Sequence, residues 1–93
     1  MRIVQSRSFE QKVKKFTKRQ KKKLDEEIQK ILDDPSIGTE KKGDLKGVYI
    51  HKFRVHSAHY LLAYRFMGKG LELIMIGPHD NYYRDLKSYM KGR

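Results

Sequence analysis

The sequence predicts an α+β domain: an N-terminal strand and a helical hairpin packed on an antiparallel sheet, closed by a C-terminal helix. Three observations carry this. Apolar residues recur at helical spacing through the first third of the chain. Three strand-like segments then follow one another, separated only by short polar turns. After a Gly-Pro pair, the last stretch returns to helical spacing. The 93 residues have room for one domain, 1–93, with one modest core.

The first strand is Met1–Gln5, read from its apolar pair Ile3-Val4. Ser8-Phe9-Glu10-Gln11 has the form of a capping box, in which Ser8 accepts from the Gln11 amide and Gln11 reaches back. Phe9, Val13 and Phe16 then share a helical face, and Leu24, Ile28, Ile31 and Leu32 form a second stripe. Asp33-Asp34-Pro35 ends it, because the residue before proline is pushed out of helical angles. A single helix from Phe9 to Asp33 would be roughly 38 Å long. The domain's radius of gyration should be only about 12 Å, and Thr17-Lys18-Arg19-Gln20 resembles a second capping box. The prediction is therefore two helices broken at Thr17–Gln20.

Pro35–Gly43 reads as a loop. Val48–Val55, Tyr60–Phe66 and Leu71–Ile76 read as strands, separated by His56–His59 and Met67–Gly70. They form a meander, with Met1–Gln5 as a fourth strand. The final helix starts near Asp80 or Asn81, either of which suits an N-cap. Tyr82, Leu86, Tyr89 and Met90 line its core face. Tyr83 lies about 100° further round and is freer to meet a ligand.

Lys and Arg total 22 against 11 acids, a formal net charge of +11. A field of that strength attracts polyanions. Lys12 through Lys23 holds eight basic residues and no acid. Any one of those lysines is ordinarily a solvated helix residue, but together they grip phosphates without regard to sequence. No apolar helix face opposes the basic cluster, so a membrane surface is not expected as a partner. The chain has no cysteine and no zinc-type spacing, which argues against disulfides and thiolate metal sites. The N-terminal residues lack a long apolar stretch, so neither a signal peptide nor a membrane span is expected, and the cytoplasm is the expected location.

Strand alternation sorts the candidate functional residues. Tyr49, His51, Phe53 and Val55 share one face, and Phe53 and Val55 mark it as the face under the helices. Lys52 and Arg54 are left on the other. In the next strand His59 and Arg65 join them, while Tyr60, Leu62, Tyr64 and Phe66 turn to the covered face. His79 projects from the end of the last strand. Histidines act as acid or base near neutral pH, arginine and lysine stabilise developing phosphate charge, and an exposed aromatic such as Tyr83 stacks an unpaired base. RNA carries its own nucleophile, the 2′-hydroxyl. Such a site needs no metal or small-molecule cofactor, and no acidic cluster with magnesium or manganese character is visible.

The order of elements resembles the RelE/ParE superfamily of toxins from type II toxin–antitoxin systems. So do Asp33-Asp34-Pro35, Leu45-Lys46-Gly47, Tyr60-Leu61-Leu62-Ala63-Tyr64-Arg65 and Gly77-Pro78-His79 ahead of an aromatic helix start. The resemblance covers nearly the whole chain and implies a RelE-like, microbial RNase-like fold. In its RelE branch it implies a ribosome-dependent mRNA endonuclease held in check by a cognate antitoxin. It implies that Lys52 and Arg54 act as base and phosphate stabiliser, that His79 is the general acid as in YafQ-like toxins, and that Tyr83 lies near the mRNA base. His59 matches a further polar catalytic position. The family's third-strand arginine aligns with Leu61, so Arg65 or His59 would supply that charge. The YafQ-type histidine position ahead of the Leu-X-Gly turn is Gly43. The base is thus Lys52 or His59. The alternative within the superfamily is a ParE-like DNA gyrase inhibitor without nuclease activity. A basic RNA-binding module without chemistry is a third.

Overall fold

In the computed structural model, which describes residues 2–92, β1 (Arg2–Gln5) leads into α1 (Arg7–Val13) and α2 (Lys18–Asp33). A short strand β2 (Thr39–Glu40) follows, then β3 (Tyr49–Val55), β4 (Ala58–Met67), β5 (Gly70–Pro78) and α3 (Tyr82–Lys91). The sheet order is β1-β5-β4-β3-β2. β1 runs parallel to β5, and every other pairing is antiparallel. The α+β class, the helical hairpin and the meander are as expected from sequence.

The helix break falls where Thr17 predicts it. Its hydroxyl accepts from the Gln20 amide, and the Gln20 side chain accepts from the Thr17 amide. The first cap differs. Ser6, not Ser8, caps α1: its Oγ accepts from the Phe9 amide at 3.1 Å and donates to the Ile74 carbonyl. A serine that satisfies a helix end and a strand carbonyl at once outcompetes one with only the local bond. The stretch 35–43 is more than a loop. It holds a 3₁₀ turn at Pro35–Ile37 and the two residues of β2, too short for alternation to reveal.

The core has two parts, one on each face of the sheet. Phe9, Leu24 and Ile31 pack on Phe53, Val55, Leu62, Tyr64, Leu71, Leu73 and Ile76. On the opposite face Tyr82 and Leu86 of α3 pack on Val48, Ile50, Leu61, Ala63 and Ile74. The face expected to be open is therefore covered at its centre, and only its ends are free. Tyr64 is fully buried, and its hydroxyl donates to the Pro35 carbonyl at 2.7 Å and accepts from the Gly38 amide at 3.0 Å. That pair of bonds fastens the 35–38 turn to the central strand. A Cβ at residue 38 would run into the same hydroxyl.

Glu27 joins the helical layer to the sheet. Its side chain is 3% exposed and meets His51 Nε2 at 2.8 Å, Lys30 Nζ at 2.9 Å and Lys23 Nζ at 3.1 Å. Burial works to raise its pKa, but the bonds from Lys30, His51 and Lys23 outweigh it and bring the carboxyl down to about 2. The ion set therefore stabilises the fold fully above the ordinary carboxylate value of 4.5. That contribution is lost as pH falls from there through about 2. Glu27→Gln should lower stability at neutral pH by about 2–3 kcal/mol. Urea unfolding across the acid range should show the wild-type loss below pH 4.5 flattened in the variant.

Candidate active site

Cross-strand register assembles the site. Arg54 pairs with His59, Lys52 pairs with Leu61, and Leu61 pairs on its other side with Gly77. Lys52, Arg54, His59 and Gly77 thus share the α3 face. Lys52, Arg54, His59 and His79 are all exposed.

Gly77, two residues before His79, takes that face because of a β-bulge. Ala63 pairs with Met75 but Tyr64 pairs with Leu73, so Ile74 is an extra residue. An inserted residue reverses alternation beyond it. Leu71 and Leu73 point to the helical hairpin before the bulge, and Ile76 does so after it. Without Ile74 as an insertion, position 77 would carry the parity of Leu71. Two hydroxyls hold the bulge. Ser6 donates to the Ile74 carbonyl, and Tyr82 donates to the Met75 carbonyl at 2.6 Å. Tyr82 is buried, and burial pushes its phenol well above the ordinary value.

The chain then turns at Asn81, whose left-handed φ of 59° suits asparagine. Asn81 stands at the N-cap position but makes no side-chain cap bond. Tyr82 goes to the core, and half-buried Tyr83 turns to His79, their rings 6.3 Å apart and nearly perpendicular. Lys41 Nζ lies 4.8 Å above the Tyr83 ring. Its backbone is held by a 2.8 Å bond from its own amide to the Val48 carbonyl. Sequence reasoning missed Lys41. It lies in the stretch read as loop, and the only trace was the basic pair Lys41-Lys42.

Arg65 does not join this group. Six residues of strand separate it from His59, roughly 20 Å. Its Nε donates to Glu72 at 2.7 Å, and Glu72 is buried beside it. The structure thus places Lys52, Arg54 and His59 together on one face toward the end of the sheet where β5 delivers His79; His79 meets Tyr83, and Lys41 reaches the Tyr83 ring from the Val48 end of β3, while Arg65 is held apart by Glu72. Among the described residues no group of three or more His, Cys, Asp or Glu is placed to hold a metal ion. No helix there is long and apolar enough to cross a membrane. Two depressions flank the site. One of about 820 Å³ lies between α1 and α3 beside Gly77 and Pro78, and one of about 500 Å³ lies beside Arg54.

Residues 3–87 match the profile of a family described as the ParE-like toxins of type II bacterial toxin–antitoxin systems. The chain belongs to that family. No curated protein matches it in sequence. Among solved structures, a free double-arginine mutant of Escherichia coli RelE superposes with a TM-score of 0.74 at 18% identity, covering 99% of this chain and 95% of that one. RelE in the intact E. coli RelBE complex gives 0.67 at 17%, covering 85% and 96%. A YoeB/ParE toxin from Agrobacterium tumefaciens gives 0.63 at 23%, covering 85% and 99%. At these identities the likeness is one of fold, and the ParE-like toxin described here has the fold of RelE.

The bulge makes a measurable prediction for this toxin. Ser6→Ala and Tyr82→Phe should each cost about 1–2 kcal/mol, because each leaves a buried strand carbonyl without its donor. Tyr83→Phe should change stability by less than about 0.5 kcal/mol. Thermal unfolding of the three variants separates the bulge tyrosine from the site tyrosine.

Proposed function

We propose that this toxin is a ribosome-dependent mRNA endonuclease that stops translation by metal-independent cleavage. What supports the reading is that Lys52, Arg54 and His59 are exposed on one face of the sheet by register, and that His79, just past the end of β5, meets the Tyr83 ring. Lys52 or His59 removes the proton of the 2′-hydroxyl. The freed 2′-oxygen attacks the adjacent phosphorus, and Arg54 stabilises the charge on the pentacoordinate phosphorane. His79 gives its proton to the departing 5′-oxygen, leaving a 2′,3′-cyclic phosphate and a 5′-hydroxyl. Tyr83 stacks the neighbouring base on the part of its ring left free by Lys41. Arg65, committed to Glu72, takes no part.

The RelBE complex is that of a toxin with its antitoxin. By analogy a cognate antitoxin binds this chain and masks the site, its acidic residues meeting the basic surface. A ribosome and an mRNA as partners place the protein in the cytoplasm. A second reading comes from the family's ParE-like description: a DNA gyrase inhibitor of the same fold that cuts nothing.

His79→Ala should reduce cleavage of ribosome-bound message by about 10²- to 10⁴-fold, with folding unchanged because the side chain is exposed. Primer extension after brief induction maps the cut ends. Full cleavage by the variant would remove His79 from the mechanism. Inhibition of supercoiling by the purified wild type, with no cut RNA ends, would establish the gyrase reading instead.

A further inference from the structure

β2 pairs with β3 only at Tyr49 and Ile50. From residue 51 to residue 55 the outer edge of β3 has no strand neighbour among the described residues. A cleft of about 500 Å³ opens along that edge, between it and the N-terminal half of α2. Arg19, Lys22, Lys23 and Glu26 line it from the helix, and Arg54 and His56 line it from the strand end and the turn. Arg19, Lys22, Lys23 and Glu26 follow one another at i, i+3, i+4 and i+7, so they present one face. Lys23 is turned to Glu27. Arg19, Lys22 and Arg54 bring three cations to the cleft against the single carboxylate of Glu26. The larger depression is different in kind, since Asp80 and Asp85 face the basic residues of α1 across it.

Arg54 is the link. It stands in the candidate active site through its pairing with His59 and also walls this cleft. We propose that the cleft is a phosphate-binding track for single-stranded RNA, carrying the strand away from the cleavage site along α2, with Arg54 as the shared phosphate ligand. This rests on the endonuclease reading for its direction and on the cleft's own cations for its chemistry. The track reads charge and not base identity. Its walls offer guanidinium, ammonium and imidazole groups, and no Phe, Tyr or Trp ring lines it.

The test is fluorescence anisotropy of labelled single-stranded RNAs of about ten and about three nucleotides, titrated over a salt series. The proteins are the wild type, R19Q/K22Q, and K69Q/K91Q as an equal loss of exposed charge at other places. R19Q/K22Q should bind the longer RNA about five- to tenfold more weakly, with the salt slope reduced by about 1.4. It should bind the shorter RNA, which spans only the catalytic residues, as the wild type does. K69Q/K91Q should change the longer RNA's affinity less than twofold. Equal losses in the two double variants, or a loss equal for both RNA lengths, overturn the proposal in favour of a general basic field. A poly-glutamate peptide of about ten residues that binds more tightly than the RNA, and weakens in R19Q/K22Q, overturns it in favour of an acidic protein partner. If no message is cut by any variant yet the length-dependent loss persists, the endonuclease reading falls and the RNA track stands.

Discussion

The site depends on one extra residue in β5. The bulge at Ile74 reverses the side-chain parity of the rest of the strand, so Gly77, two residues before His79, takes the face of Lys52 and Arg54. The same insertion lets both Leu73 and Ile76 enter the core under the helical hairpin, while Ile74 enters the core under α3. Its backbone is held from both directions: Ser6 precedes α1 and Tyr82 begins α3, so the two helical layers each fix one of its carbonyls. Bulges often re-aim a side chain near a functional site. Here the end of the strand that leads to His79 is re-aimed, and the clamp that fixes the bulge also docks the helix bearing Tyr83.

Much of this was legible in the sequence, and the failures have physical causes. Alternation in β3 is clean, with apolar Phe53 and Val55 interleaved with charged Lys52 and Arg54, so the faces could be read directly. β5 is different: Leu73-Ile74-Met75-Ile76 is continuously apolar, and a strand buried on both faces gives no parity signal. The bulge was invisible for that reason, and His79 was matched to the site by its position at the strand end rather than by its face. Full coverage of the second face was also hidden, because it depends on where α3 lands. Lys41 meets Tyr83 across a sequence separation of 42, a contact that no local pattern encodes. The capping-box pattern points to Ser8 because a local pattern carries no information about the Ile74 carbonyl that recruits Ser6.

The distribution of charge follows from the same layering. A chain this basic has few acids to spend inside, yet Glu27 and Glu72 are buried. Each anchors cations that would otherwise repel. Glu27 gathers Lys23, Lys30 and His51 at the junction of α2 and β3, where the lysine run of the hairpin comes closest to the sheet. Hydrogen bonds from two lysines and an imidazole to one carboxylate are enough to offset its burial, which is why its proton affinity falls although the site is nearly closed to water. α2 can therefore pack its buried Leu24 and Ile31 on the sheet while its outward face stays cationic.

Arg54 and Arg65 show what the arrangement selects. They are alike in chemistry, share a face of the same sheet and lie on neighbouring strands. Their cross-strand partners separate them. Arg65 stands opposite Glu72 and closes a short ion pair at one end of the sheet, where opposite charges across a pair are stabilising. Arg54 stands opposite His59, with Lys52 two positions away. Cations placed together without a carboxylate between them raise the free energy of the unliganded fold, and an arriving anion lowers it again. Arg65 is thus explained by the protein's own stability. Arg54 has no carboxylate across the strand, and it stays exposed at the edge of the sheet beside Lys52 and His59.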